Sequence, residues 1–339
     1  MSRLEFRTWL VIAALVIAQS PAIVAVKGGP SPKRARVDRQ IEQIEAAGGG
    51  GTVSVIIRPD GSTDWASLLK ALKSKGIKVG RQARRSNAIS LQISRSDLSW
   101  LASLPGVASI SVDARVYTAP LAAQDILTGT DLTKAVKRAS DLRSQLGLTD
   151  ADPTGNGLGI AIIDSGIAPV PDLASRITAF YDFTNGQNAV ASAPLDGYGH
   201  GTHVAGLAAG DGTLSNGQFA GVAPDAHLIG LRVLDNSGGG STSDVIAAVE
   251  FATVNKAALG IDVINMSLGH PPFETAATDP MVQAVEAASR AGIIVVVSSG
   301  NAGINPSTGL VGYGGVLAPG NAPSAFTIAS AKTQGTVDP

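Results

Sequence analysis

The sequence of 339 residues contains no cysteine, few aromatic residues (4%) and few charged residues (16%). The lack of cysteine excludes a disulfide framework and every cysteine-based metal or redox motif. A membrane-spanning helix needs about 20 apolar residues, and no uninterrupted apolar run in this sequence is that long. With 44% hydrophobic residues and 40 glycines, the composition is typical of a compact α/β protein with many tight turns, and it argues against disorder.

The charge is nearly balanced overall but is unevenly distributed along the chain. The formal net charge is −1, which favours neither nucleic acid nor a membrane surface as a partner. Residues 27–118 carry 15 Lys/Arg against 7 Asp/Glu, a balance of +8, whereas residues 119–339 carry 9 against 19, a balance of −10. Two halves of opposite charge would attract each other, and chance variation between domains is the alternative.

The N-terminus has the features of a secretory signal peptide. Arg3 and Arg7 form a basic start, and Trp9–Ala18 is an apolar run that is too short to span a bilayer. Cleavage can follow Ala22 or Ala25; we place it after Ala25, so residues 1–25 are the predicted signal peptide. We therefore expect a secreted protein with no membrane association after cleavage, with an uncleaved anchor as the alternative.

A small α+β domain is predicted next. Residues 26–51 are polar and basic, with a short helical patch near 37–46, and are predicted to be a linker. Residues 52–116 then show the order β-α-β-β-α-β of a ferredoxin-like unit. The predicted strands are 52–58, 77–82, 88–93 and 107–112, and the predicted helices are 64–75 and 96–104. Because this fold serves many purposes, it does not by itself indicate a function.

Strands and helices alternate from Gly157 onward, in a predicted domain of residues 117–339. The predicted strands are apolar without alternation, as strands covered on both faces are: 158–163, 228–233, 263–267 and 293–297. The predicted helices are 202–210, 244–259 and 279–291, with a further helix near 132–145. This pattern predicts an α/β fold in which a parallel sheet has right-handed crossovers and helices on both faces.

Three polar residues occupy positions in this pattern where chemistry can occur. Asp164 directly follows the first apolar strand, Asn301 follows the last one, and His200 stands between Gly199 and Gly201. In an open parallel sheet, the carboxyl ends of the strands form the ligand crevice. A carboxylate there can fix the tautomer of an imidazole, and an amide can donate to a developing oxyanion. Each residue singly is typical of a cap or turn, but the combination indicates acid–base catalysis.

Two other kinds of site are disfavoured by the spacing of residues. His200 and His203 are three residues apart and could form a metal pair, but the sequence has no HExxH motif and no cysteine. The glycines of Gly155-x-Gly157-x-Gly159 precede a strand, whereas a dinucleotide site needs them between a strand and a helix. We therefore expect neither a metal site nor a cofactor.

Four segments resemble the subtilisin-like serine proteases, from about residue 130 to the end of the chain. They are Ile160–Ile167 around the aspartate, Asp196–Gly206 around the histidine, Gly221–Pro224 with Leu231–Asp235, and Ser298–Gly303 followed by Pro319–Pro323. The histidine segment is highly specific. The resemblance implies a subtilisin-like fold in which Asp164 orients His200, His200 is general base and then general acid, and Asn301 stabilises the oxyanion.

The resemblance also implies how the protein binds peptides. It assigns the backbone of the substrate-binding cleft to Gly238, Gly239, Gly240, Ser267, Leu268 and Gly269, for which an ordinary strand end and a flexible loop are the alternative. Residues 52–116 are similar to the inhibitory propeptide of the family by their order of elements. The implied partners are polypeptide substrates and this propeptide, acting as an intramolecular inhibitor. Calcium is common in the family, but no ligands can be assigned from isolated Asp residues.

The segment that carries the family's nucleophile does not occur in this sequence. It is a Gly-Thr-Ser-x-Ala-x-Pro turn that follows the aspartate and the histidine in chain order. The serines after Asn301 are Ser307, Ser324 and Ser330, and none has these neighbours. We therefore expect a fragment of a secreted serine endopeptidase precursor, incomplete at its C-terminus and inactive as given. A naturally serine-less relative, acting as a peptide-binding or protease-inhibitory protein, is the alternative.

Overall fold

The computed structural model describes residues 34–118, 143, 146–149, 151–301 and 315–329. The predicted signal peptide and most of the helix predicted near 132–145 lie outside these residues. Among the helices that the structure describes, none is both long and apolar enough to cross a membrane.

Residues 34–118 form the smaller part, a sheet of five strands with helices packed on one face. The strands are β1 (Arg36–Val37), β2 (Thr52–Pro59), β3 (Lys78–Ala83), β4 (Ala88–Ser94) and β5 (Val107–Val112). The helices are α1 (Arg39–Ala47), α2 (Trp65–Ser74) and α3 (Leu98–Ser103). The sheet order is β1-β5-β2-β4-β3. Its four antiparallel strands β5-β2-β4-β3 have the arrangement of a ferredoxin-like unit.

The structure corrects the predicted linker of residues 26–51. Strand β1 pairs in parallel with β5, and α1 packs beside it. The carboxylate of Asp38 caps this helix by accepting a hydrogen bond from the Ile41 backbone N–H at 2.7 Å. Ile41 is fully buried in the core of the small part. Residues 36–47 therefore belong to the smaller fold and are not a spacer.

The larger part is built on a sheet of seven strands in the order β14-β13-β12-β7-β10-β8-β9. All neighbours are parallel except β8 and β9. The strands are β7 (Gly159–Asp164), β8 (Ile177–Asp182), β9 (Val190–Ala191), β10 (His227–Arg232), β12 (Val263–Met266), β13 (Ile294–Ser298) and β14 (Phe326–Ile328). The helices are α4 (Pro171–Ala174), α5 (His200–Ala209), α6 (Thr242–Val254), α7 (Lys256–Leu259) and α8 (Pro280–Arg290). Two further short strands, β6 (Arg115–Tyr117) and β11 (Gly239–Ser241), pair with each other.

The central strand β7 shows why this sheet is covered on both faces. Ile162 packs into a cluster with Ala205 and Ala209 of α5. Its neighbour Ile163 faces the opposite way, into the cluster that contains the buried residues of α6 and α8. Because adjacent side chains of a strand point to opposite faces, an unbroken apolar strand requires helices on both. The predicted α/β fold, with a parallel sheet between helices, is confirmed.

One predicted helix differs from the structure in its length. The sequence predicts a single helix over 244–259, but the structure has α6 and α7, which are separated at Asn255. The backbone of Asn255 departs from helical geometry (φ −96°, ψ 11°). Its side-chain amide donates to the carbonyl oxygen of Phe251 at 2.8 Å, so the asparagine bonds the helix backbone at the point where α6 ends.

Candidate active site

Asp164 is the last residue of β7 and is completely buried at the carboxyl edge of the sheet. Its side-chain Oδ1 accepts a hydrogen bond from the backbone N–H of Ser165 at 2.7 Å. Its backbone carbonyl accepts from the N–H groups of Val233 and Leu234, at 2.9 and 3.2 Å. The neighbouring chain after β10 thus holds the strand end in place. A buried carboxylate in this position needs a charged or donating partner.

His200 provides that partner. It is the first residue of α5, and its Nδ1 lies 2.8 Å from Asp164 Oδ1 and 2.9 Å from Oδ2. The helix can come this close because residue 201 is glycine: a Cβ there would overlap the carbonyl oxygen of Gly166 and press on Asp164. With Nδ1–H donated to the carboxylate, Nε2 keeps a lone pair and can act as a base.

The electrostatics of the pair follow from its surroundings. Burial by itself lowers the pKa of the His200 imidazole, but the hydrogen bond and charge of Asp164 and the charge of Asp196 outweigh it. The net pKa of His200 is therefore raised above its usual value of 6.5. The arrangement stabilises the imidazolium, as a general base needs once it has taken up a proton.

Asp196 is a residue of this site to which the sequence reasoning gave no role. Its carboxylate accepts hydrogen bonds from the backbone N–H groups of Gly199 at 2.7 Å and Thr202 at 2.9 Å, and from the Thr202 hydroxyl at 2.6 Å. These contacts fix the first turn of α5 and therefore the position of His200. The signal in the sequence was an aspartate just before a glycine-rich helix start, where carboxylates commonly cap helices.

Asn301 and Ser324, two other residues considered from the sequence, lie apart from the Asp164–His200 pair. Asn301 is exposed and lies three residues beyond β13, at the same carboxyl edge of the sheet as Asp164. Its role in binding an oxyanion stays a prediction. The Ser324 hydroxyl donates to Glu286 Oε1 at 2.8 Å, so it is engaged by α8. Ser307 and Ser330 lie outside the described residues.

An extended segment of the smaller part lies between the two stretches that the sequence analysis assigns to substrate binding. Strand β6 pairs antiparallel with β11, with Tyr117 opposite Gly239 and Val116 opposite Gly240. On the other side, the backbone N–H and carbonyl of Tyr117 both bond to Gly269, each at 3.2 Å. The next N–H along the segment, that of Thr118, donates to the Gly238 carbonyl oxygen at 3.4 Å. The segment therefore lies in the predicted substrate-binding cleft as an added strand.

The six predicted cleft residues thus divide into two groups. The backbones of Gly238, Gly239, Gly240 and Gly269 meet the extended segment, as described above. Leu268 instead buries its side chain in the core, and the Ser267 hydroxyl accepts a hydrogen bond from the Asn265 amide at 3.1 Å. The predicted domain boundary between residues 116 and 117 falls inside β6.

The second face of the small sheet is buried against the larger part. Ile56 of β2 belongs to the same apolar cluster as Ile246 of α6, whereas its neighbours in the strand face the small part's own helices. Asp113, just before β6, accepts hydrogen bonds from the Ser243 N–H at 2.8 Å and the Ser243 hydroxyl at 2.7 Å. A carboxylate at the N-terminus of α6 also interacts favourably with the helix dipole.

The described residues contain no group of three or more His, Cys, Asp or Glu side chains that could hold a metal ion. His203, the second histidine of the metal pair considered from the sequence, is exposed on α5. Calcium ligands remain unassigned.

The buried Asp164–His200 pair lies at the carboxyl edge of the parallel sheet, and it is the arrangement in which a carboxylate orients a histidine base. The model of the subtilase family matches residues 155–339. The chain belongs to the subtilase family.

Individual relatives agree with this assignment. The chain is 42% identical over 160 residues to serine protease AprX of Bacillus subtilis, a match that covers 46% of this chain and 35% of AprX. It is 30% identical over 307 residues to an alkaline protease of Alkalihalobacillus alcalophilus, covering 90% of this chain and 73% of that protein. The match to a subtilisin of Bacillus sp. covers 38% of that protein. The chain thus spans little more than a third of some of the relatives it matches.

Two solved structures share the fold. Fervidolysin from Fervidobacterium pennivorans, a keratinolytic enzyme related to subtilisin, aligns with a TM-score of 0.58 at 21% identity, over 84% of this chain and 43% of that chain. The epidermin leader peptide processing serine protease from Staphylococcus aureus aligns with a TM-score of 0.59 at 19% identity, over 82% and 69%. These likenesses describe the fold and leave the substrate open.

Proposed function

We propose that the protein is the precursor of a secreted serine endopeptidase, in which residues 34–118 act as an inhibitory propeptide. The observation that carries the proposal is the hydrogen-bonded pair of Asp164 and His200, with the raised pKa of the imidazole. The position of β6 between β11 and Gly269 supports the inhibitory role. A strand that fills the cleft blocks the entry of a substrate chain.

The reaction follows from the geometry of the pair. His200 Nε2 takes the proton of a serine hydroxyl while the serine oxygen attacks the carbonyl carbon of the peptide bond. Asp164 keeps Nδ1–H in place and stabilises the imidazolium, which then gives its proton to the leaving amine. Asn301 is proposed to donate its side-chain amide to the oxyanion. The nucleophilic serine in its family motif is not among the 339 residues, so the chain as given is proposed to be inactive.

Self-cleavage tests the role of His200. In the protein expressed from its complete gene, His200→Ala should abolish cleavage between the smaller and the larger part. His203→Ala is the matched control, because His203 is exposed on the same helix. Normal processing of His200→Ala in a protease-free host would overturn the assignment.

Two further measurements test the remaining parts of the proposal. The 339-residue chain should not react with a serine-directed fluorophosphonate probe. Clear labelling of any serine would refute the inference that the chain lacks a nucleophilic serine. Export is supported by the basic start and the short apolar run of residues 1–25. The N-terminal sequence of the exported 339-residue chain, which is proposed not to cleave itself, should begin at Val26, whereas a retained Met1 would contradict signal cleavage.

A non-catalytic peptide-binding or protease-inhibitory protein is the second candidate. It is favoured by one observation, namely that the cleft is filled by the chain's own β6 while the sequence lacks the nucleophile motif. The coding sequence after the Pro339 codon distinguishes the two candidates. A Gly-Thr-Ser-x-Ala segment there supports the peptidase, and a stop codon supports the binding protein.

A further inference from the structure

Arg81 is a largely buried charged side chain that the smaller part contributes to its described contact with the larger part. It projects from β3, and only 10% of its side chain is exposed. Its Nε and Nη2 donate to Asp244 Oδ1 at 3.1 and 2.8 Å, and Nη2 also donates to the carbonyl oxygen of Phe183 at 2.7 Å and to that of Gln187. Nη1 reaches the Asn188 side-chain oxygen at 3.3 Å. All three guanidinium nitrogens are therefore bound by oxygen atoms of the larger part.

The walls of this site are built by the larger part itself. The turn after β8 is fixed because Asp182 accepts hydrogen bonds from the Thr184 N–H and hydroxyl, both at 2.8 Å. Asp182 also forms an ion pair with Arg232 at 2.7 Å. On the other wall, Asp244 lies in the first turn of α6 and is 7% exposed. None of these anchoring contacts involves the smaller part, so the pocket has its own framework.

The shape and chemistry of the pocket suit a guanidinium group and not an ammonium group. Its acceptors lie around a planar fork with several N–H donors, whereas a lysine ammonium is a compact point charge. The Arg81 guanidinium carbon also lies 5.8 Å from the centre of the Phe183 ring, within range of a cation–π interaction. Phe183 is itself buried and held edge-on by Phe251 at 5.6 Å. Phe183 is therefore held in position as an aromatic wall of the pocket.

We infer that Asp244 and the turn of residues 183–188 form a guanidinium-selective binding site on the larger part, which Arg81 fills and which admits another arginine-like group when Arg81 is shortened. The inference deepens the proposed propeptide role, because it makes Arg81 the residue by which the larger part recognises the smaller one. Binding at this site needs neither a nucleophile nor hydrolysis, so it can fail or succeed independently of the proposed peptidase activity.

Chemical rescue tests the inference on the whole chain. Arg81→Ala removes the part of the side chain that N-ethylguanidinium reproduces, so this cation should bind the variant saturably and raise its thermal unfolding midpoint. n-Butylammonium, which carries the same charge as a lysine side chain, should bind at least about tenfold more weakly. If Arg81→Ala does not fold unaided, the same two cations are compared by the yield of refolded protein.

Two controls decide whether the effect belongs to this site. Adding Asp244→Asn to Arg81→Ala should abolish the rescue, because the substitution removes the anionic acceptor. Arg84→Ala should show no saturable response, since the Arg84 guanidinium lies over the Trp65 ring within the smaller part, 4.7 Å from its centre. Equal effects of the two cations, rescue that persists with Asp244→Asn, or the same response in Arg84→Ala would each overturn the inference.

Discussion

Replacing Glu274 with glutamine should stabilise the folded chain above neutral pH and leave its stability near pH 4 unchanged. Glu274 belongs to the larger part and lies where the smaller part packs against it. Burial, together with the negative charges of Asp279 and Asp38, raises its pKa from 4.5 to about 7, although hydrogen bonds with Ser111 and Thr278 act in the opposite direction. Arg58 of the smaller part interacts electrostatically with Glu274 and Asp279, and burial lowers the pKa of its own guanidinium group. His270 lies 3.7 Å from Asp279 on the other side.

The sign of the effect follows from the proton that the folded chain holds more tightly. Well below pH 4.5 the carboxyl is protonated in both the folded and the unfolded chain, and the full stability is present. Between pH 4.5 and about 7 the unfolded chain loses this proton first, so the free energy of unfolding falls as the pH rises. A shift from 4.5 to about 7 corresponds to about 3 kcal/mol at most. Glutamine keeps the shape of the side chain and cannot ionise, so Glu274→Gln escapes this loss.

Urea unfolding monitored by circular dichroism, at about pH 4 and about pH 8, measures the difference. The two proteins should unfold alike at the lower pH, and Glu274→Gln should be more stable at the higher pH by up to about 3 kcal/mol. Glu42→Gln is the control, because Glu42 is an exposed carboxylate on α1. The reasoning is refuted when wild type and Glu274→Gln lose the same stability between the two pH values.

Three shorter predictions address the candidate site and the fold. Asp164→Asn should lower the pKa of His200, because it removes the hydrogen bond and charge that raise it; an unchanged NMR titration midpoint of the imidazole would contradict the coupling. Gly201→Ala should destabilise the chain by about 1–3 kcal/mol, because its Cβ overlaps the Gly166 carbonyl oxygen; a denaturation midpoint equal to wild type would refute this. Ile41→Ala should lower the free energy of unfolding by about 2–5 kcal/mol if α1 belongs to the small core. A decrease of no more than about 0.5 kcal/mol would show that α1 does not contribute to that core.

The parts of the fold that could be predicted are those in which each strand carries its own apolar signal. The strand at 158–163 was predicted from its unbroken apolar residues, and the structure has β7 one residue further along, at Gly159–Asp164. Strand β8 is not predicted from the sequence, because Phe180 is the one residue of this strand that is buried and no continuous apolar run marks it. Its place in the sheet depends on hydrogen bonds to β10, which a local pattern does not show. The helical patch near 37–46 is predicted, but its packing on the small sheet is not, because α1 buries a single residue, Ile41.

In the candidate site, the side chains that take part in chemistry could be predicted from the sequence, whereas the backbone contacts could not. Asp164 and His200 could be paired from the sequence because their residue types and glycine neighbours restrict what they can do. The position of β6 could not be predicted from the sequence, because the predicted cleft holds it through backbone groups that any sequence supplies. The contacts that bring β6 there involve side chains far apart in sequence, such as Arg81 and Asp244, 163 residues apart.

This division also accounts for a feature of the smaller part. The resemblance to subtilase propeptides on which its proposed role depends lies in the order of its elements more than in any motif. A cleft that pairs with backbone groups requires an extended strand of the right direction, and it constrains few of the side chains on that strand. In β6 only Val116 is buried, while Arg115 and Tyr117 are exposed. The side chains under constraint lie elsewhere, in the contacts of Arg81 and Asp113 with α6. Sequence conservation in such a domain is therefore expected at its docking contacts and its core, and not along the strand that fills the cleft.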